Sequence, residues 1–135
     1  MLRKTLFLVL MLVAAGGRPV LAHTAWLEED PATPGVYRVL FGGHAGQLEN
    51  LQPEKITSVD AYAADGSSVA LERADGASGS RLTPADTAVL IALAYDNGIW
   101  ARDPMGRSIN QPLTAVAGAR EATWAKKLHK TIVRW

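Results

Sequence analysis

The chain has no cysteine. Disulfides, thiolate metal sites and thiol nucleophiles are therefore excluded, and any domain it forms is held by packing. Long apolar runs are missing except at the start, where Arg3 and Lys4 precede an apolar stretch over residues 6–15 that Gly16, Gly17, Arg18 and Pro19 break. That stretch falls well short of the roughly 20 residues that span a bilayer. With Val20 and Ala22 as small residues three and one positions before His23, the order is that of a cleavable export leader. The expectation is loss of residues 1–22, which makes His23 the first residue of the mature protein.

Neither sign of charge dominates the remainder. Taking Arg3, Lys4 and Arg18 from the 14 Lys and Arg leaves 11 against 13 Asp and Glu, a formal charge of −2. That balance offers no electrostatic footprint for nucleic acid. No phosphate loop, nucleophile motif or readable pair of catalytic carboxylates is present, so hydrolase and kinase readings have nothing to rest on. Residues 23–135 suffice for one domain with one core, to which the four tryptophans are expected to contribute as core or rim anchors.

Punctuation by glycine, proline and turn residues divides this domain into short β-rich runs. Pro31, Pro34 and Gly35 end a first short segment; residues 36–41 then read as a strand, stopped by Gly42 and Gly43, which places His44 on a loop at a strand end. Residues 56–64 alternate, and Asp65-Gly66 supplies a hairpin turn into residues 69–72, with a second turn region at 75–80. Residues 87–95 are almost continuously apolar and read as a central strand that Asp96-Asn97-Gly98 closes. Residues 100–118, with Pro104, Gly106, Pro112 and Gly118, read as a long ordered loop. In the last stretch, Trp124, Leu128, Ile132 and Trp135 recur at helical spacing while Thr131, Ile132 and Val133 favour a strand. Many short strands with turn signals predict an all-β antiparallel sandwich with Greek-key connections.

The succession A-H-T-A-W-L, F-G-G-H-A-G-Q-L-E-N-L-Q-P-E-K-I, V-D-A-Y-A-A-D-G, A-Y-D-N-G-I-W and K-K-L-H-K-T resembles an uncharacterised periplasmic family labelled as the periplasmic component of cobalt or nickel uptake systems. The resemblance covers essentially all of residues 23–135. It implies a periplasmic location, an immunoglobulin-like β-sandwich, a strand over residues 122–134, and a domain that forms the N-terminal part of a longer architecture in longer members. Residue by residue, A-H-x-x-W-L falls on His23 and Trp26, G-H-x-G-x-x-E on His44, Gly46 and Glu49, and K-x-x-K-T on Lys127, Lys130 and Thr131, with His129 inside it. Gln47 stands where relatives carry an acidic residue.

The chemistry of these residues agrees. An N-terminal His23 offers an α-amine and an imidazole, nitrogen donors that a metal frees of their protons at modest cost near neutral pH. With His44 they make three nitrogens in a T-shaped set, which suits Cu(II) first and Ni(II) or Co(II) next. Asp96, Tyr95 or water would complete the sphere, His129 is a further candidate ligand, and Glu49 is suited to orient an imidazole from outside it. Asp96 has a competing role as a turn residue that accepts from the amides after it. The expected function is capture or presentation of a divalent transition metal to a membrane uptake or resistance system or a periplasmic partner domain. The alternative is a non-catalytic structural or interaction domain with incidental histidines. The basic run Lys126, Lys127, Lys130 and Arg134 reads as a solvated face or as a surface for an acidic partner.

Overall fold

The computed structural model describes residues 23–43 and 47–135. Two antiparallel sheets face each other. The first has the order β1 (Thr24–Glu29), β2 (Tyr37–Gly42), β7 (Gly79–Pro84), β6 (Leu71–Gly76), with β3 (Leu48–Glu49) beside the end of β2. The second has the order β10 (Glu121–Ile132), β8 (Leu90–Arg102), β4 (Ile56–Tyr62), β5 (Ser68–Val69), with β9 (Ser108–Ile109) beside the end of β8. This is the expected all-β sandwich. The two short 3-10 turns, Pro53–Lys55 and Leu113–Ala115, are the helical content of the described residues.

Alternation explains how each strand contributes to the core. Tyr37, Val39 and Phe41 of β2, Leu82 of β7, and Ile91, Leu93 and Tyr95 of β8 point inward and are buried, as are Ala25 and Leu27 of β1. β8 is central as its composition predicts, pairing with β10 on one side and β4 on the other. The Asp65-Gly66 turn joins β4 to β5, with Ala61 opposite Val69. The turn at 75–80 closes the β6–β7 hairpin, with Asp75 opposite Ser80.

Three expectations need correction. The Asp96-Asn97-Gly98 sequence does not end the central strand. β8 runs on to Arg102, and Asn97 and Gly98 together stand opposite Ala125, between the pairs Lys126–Asp96 and Trp124–Ile99. Turn chemistry is used here for a bulge: Gly98 adopts φ +81°, and the Asp96 carboxylate accepts its N–H at 2.9 Å. The loop accordingly starts at Asp103 rather than at Trp100, and it contains β9 and the turn at Leu113–Ala115.

The tryptophans, expected as core or rim anchors, meet that expectation only in part. None is in the buried core: Trp124 is 60% exposed and Trp135 wholly so, while Trp26 and Trp100 are half-buried. Residues 121–132 form a strand, and its spaced apolar residues are on the outer face. Ala125, Lys127, His129 and Thr131 occupy the more buried face, whereas Leu128 and Ile132 face solvent.

Candidate metal site at the end of the sandwich

His23 immediately precedes β1. The pairing of Thr24 with Gly42 and of Ala25 with Phe41 places it at the end of the first sheet, on the same face as inward-pointing Ala25 and Leu27. Its ring stacks on Phe41, with centroids 5.7 Å apart and planes 17° apart. Phe41 in turn meets Tyr95 of the opposite sheet at 5.0 Å. On the far side of β2, Glu49 pairs with Phe41, and its Oε1 lies 2.7 Å from His23 Nε2. The imidazole thus reaches across the end of β2 to a carboxylate, with both side chains about one-third exposed. A carboxylate only accepts, so Nε2 carries the proton and Nδ1 is the lone-pair nitrogen of the neutral ring.

Two cavities meet at this imidazole, and both are lined by His23, Asn97 and Trp100. One, of about 300 Å³, also takes in Phe41, Glu49, Lys55 and Tyr95. The other, of about 450 Å³, runs along the β8–β10 ribbon past Arg102, Thr123, Ala125 and Lys127. The bulge builds the shared wall. The Asn97 carbonyl accepts the Trp100 indole N–H at 2.9 Å, Asn110 Nδ2 donates to the Ile99 carbonyl at 3.0 Å, and Lys55 Nζ donates to Asn97 Oδ1 at 3.3 Å. Arg102 is neutralised by Glu121 at 2.7 Å. Lys127 is half-buried and has no carboxylate partner among the described residues.

The other sequence-derived ligands are placed as follows. His44 lies outside the described residues; the residues that flank its segment, Gly43 and Gln47, are joined by an N–H to carbonyl bond of 3.3 Å. Asp96 points away from the core beside inward-pointing Tyr95, lines neither cavity, and accepts the Trp124 indole N–H at 2.9 Å. The Gly98 N–H, the Trp124 indole and then the ammonium groups of Lys126 and Lys55 hold this carboxyl below its ordinary range. It serves the bulge, the turn role weighed for it. His129 faces inward opposite Leu93, its Nε2 is 2.7 Å from Thr131 Oγ1, and burial lowers its pKa. It too lines neither cavity with His23. Burial, reinforced by Glu54, raises the Tyr95 hydroxyl against a bond from the Gln52 backbone, which keeps it a protonated phenol near neutral pH.

Among the described residues no three His, Cys, Asp or Glu side chains form a metal-holding group. The donor set among the described residues is thus the His23 imidazole with Glu49 behind it. Asn97 and Lys55 carry no ligand motif and escaped the sequence reading, which took Trp100 as a core or rim anchor and Lys127 as part of a basic run. A glycine inside a continuing β pattern, Asp96-Asn97-Gly98-Ile99-Trp100-Ala101, is the signal that marks their neighbourhood.

No family model matches the chain, and no solved structure matches it. An uncharacterised protein of Haemophilus influenzae is 28% identical over 114 residues, which cover 84% of this chain and 48% of that protein. The chain therefore spans about half the length of the curated relative it matches.

Proposed function

We propose that the protein is exported to the periplasm, loses residues 1–22, and binds one divalent transition metal, Cu(II) in preference to Ni(II) or Co(II), for capture or presentation to a membrane uptake or resistance system. The resemblance to the periplasmic family of cobalt and nickel uptake systems, with its immunoglobulin-like domain, belongs to the same proposal. The observation that carries it is the 2.7 Å contact between His23 Nε2 and Glu49. A carboxylate on the remote nitrogen fixes the tautomer and raises the basicity of a ligating imidazole. It also assigns the lone pair to Nδ1, which can close a six-membered chelate ring with an α-amine on the same residue.

The site is assigned to the His23 amine and Nδ1, with His44 as the third nitrogen. Calorimetry of the mature protein with Cu(II), at matched pH and buffer because binding releases protons, tests it. His23→Ala, His44→Ala and an extra residue before His23 should each weaken binding strongly, and His129→Ala should not. Equal affinity in all four would refute this site.

A second reading, a protein-interaction domain, is favoured by the outer face of β10. Leu128 is 80% exposed there, alongside Trp124 and Ile132 and between Lys126 and Lys130. Absence of metal binding in correctly processed protein would favour that reading.

A further inference from the structure

We propose that the outer face of the second sheet is where two copies of this chain meet, packed face to face about a two-fold axis that runs along β8. The proposal is independent of the metal site and gives the exposed face of β10 a partner. Strand register sets the outward residues of β10, β8 and β4 in level rows, Lys130 beside Ala92 beside Asp60, and Ile132 beside Leu90 beside Tyr62. One level further along, Leu128 stands beside Ala94. The residues between them, Ile91, Leu93 and Ala61, belong to the core, so these rows point away from it. Large apolar side chains are open to solvent here: Leu128 is 80% exposed and Ile132 52%. With half-buried Leu90, Ala92 and Ala94 they form one continuous apolar face, the kind of surface that marks an interaction site.

The face is its own complement, which is what a two-fold contact requires. An axis along β8 exchanges the strands that flank it, so β10 of one copy lies over β4 of the other at the same level. Lys130, exposed on β10, then faces the partner's Asp60, and its own exposed Asp60 faces the partner's Lys130. By the same operation Ile132 meets the partner's Tyr62, and Tyr62 the partner's Ile132. On the axis Ala92 meets the partner's Ala92, and so small a side chain lets the sheets close to the ~10 Å of aligned packing, a gap that a lysine and an aspartate span together. Asp96 also lies near the axis, and its charge is met within its own sheet by the Trp124 indole at 2.9 Å and by the Lys126 ammonium. Four strands ~4.8 Å apart and four levels ~6.7 Å apart give a footprint of about 500 Å² per copy, below the ~800 Å² of a standard interface, so the dimer is a weak, concentration-dependent one.

Sedimentation velocity of the purified protein over a concentration series, in EDTA so that no metal bridges two copies, should show a reversible monomer–dimer equilibrium. Asp60→Lys and Lys130→Asp should each weaken association about tenfold or more, because each sets like charges against one another across the axis. Mixed one to one, these two variants should form a heterodimer, since each supplies the charge the other lacks. The double variant Asp60→Lys/Lys130→Asp should recover association for the same reason, a rescue that damage to the fold could not produce. Ala92→Glu, which sets a carboxylate against its own copy on the axis, should abolish the dimer, while Glu72→Lys on the first sheet should leave it unchanged. A protein that is monomeric throughout the series, a dimer indifferent to Ala92→Glu, or charge-reversed variants that fail to rescue each other would overturn the proposal. Monomers that sediment with anionic vesicles through Lys130 would overturn it in favour of a lipid surface.

Discussion

Replacing Glu49 separates the site from the fold more cleanly than any other substitution. Its carboxylate is 2.7 Å from His23 Nε2, and neither partner is buried. Outer partners of ligating histidines are worth about 10- to 100-fold in metal affinity. Exposure of roughly a third of each side chain lets water share the bond, which places Glu49→Ala near the lower end, about tenfold or ~1.4 kcal/mol. Glu49→Gln keeps an acceptor for Nε2–H but removes the charge, so its loss should be smaller, about threefold. The fold should hardly register either change, because an exposed ion pair contributes about 0–1 kcal/mol. Calorimetric titration with Cu(II) beside thermal melting of the metal-free protein gives both quantities. An affinity in Glu49→Ala within twofold of the parent protein would show that the contact does not support a ligand, and the proposed role of His23 would lose its main argument.

Other outcomes are equally specific. Leu82 is fully buried between the sheets, so Leu82→Ala should cost about 2–5 kcal/mol in urea unfolding, and a loss below about 1 kcal/mol would contradict the assigned core. Burial lowers the pKa of His129 in the folded protein, so the unfolded chain binds more protons on acidification: stability should be full above the ordinary imidazole value of 6.5 and fall below it, levelling once the folded-state value is passed. Comparison with His129→Gln from pH 7.5 to 5 should show that component of the slope removed, and an unchanged slope would refute it. Gly98→Ala combines a φ of +81° with a Cβ 3.0 Å from Asn110 Nδ2, so it should cost about 1–2 kcal/mol and weaken the proposed Cu(II) binding at the adjoining His23. A variant with the parent's melting temperature and affinity would show that the bulge is not glycine-dependent.

Much of the fold was legible because strand burial in this chain follows alternation. Residues 36–41 and 87–95 announce β2 and the inner part of β8 through continuous apolar and β-branched composition. The final strand was harder to read for a geometric reason. Trp124, Leu128 and Ile132 are four apart, and a spacing of four keeps residues on one face of a helix and equally on one face of a strand. The spacing therefore cannot choose between the two, and the face it marks turned out to be the exposed one. The continuation of β8 was missed because Asp-Asn-Gly has the same local chemistry in a turn and in a bulge. What decides between them is pairing with residues 25 and 30 positions later, Trp124 with Ile99 and Lys126 with Asp96. Of the candidate site, His23 was named from its place after the leader and Glu49 as an acceptor suited to orient an imidazole, whereas Lys127 and Asn97 acquire their place beside them only through that pairing.

The bulge also explains why a groove exists beside His23. In an unbroken strand, inward Tyr95 would be followed by inward Asn97, Ile99 and Ala101, and Trp100 and Arg102 would face outward. With Asn97 and Gly98 both set against Ala125, the phase of β8 advances by one residue. Trp100 then pairs with Thr123 and Arg102 with Glu121, and these four side chains line the same cavity as Lys127, the partner of Tyr95. The ribbon thereby turns a polar and aromatic surface toward the end of the first sheet, where His23 stands. On the metal reading, export processing then supplies what the fold cannot. Within an uncut chain the backbone nitrogen of His23 is an amide with no lone pair to offer, whereas the proposed cleavage would make it an amine beside an imidazole that already contacts Glu49.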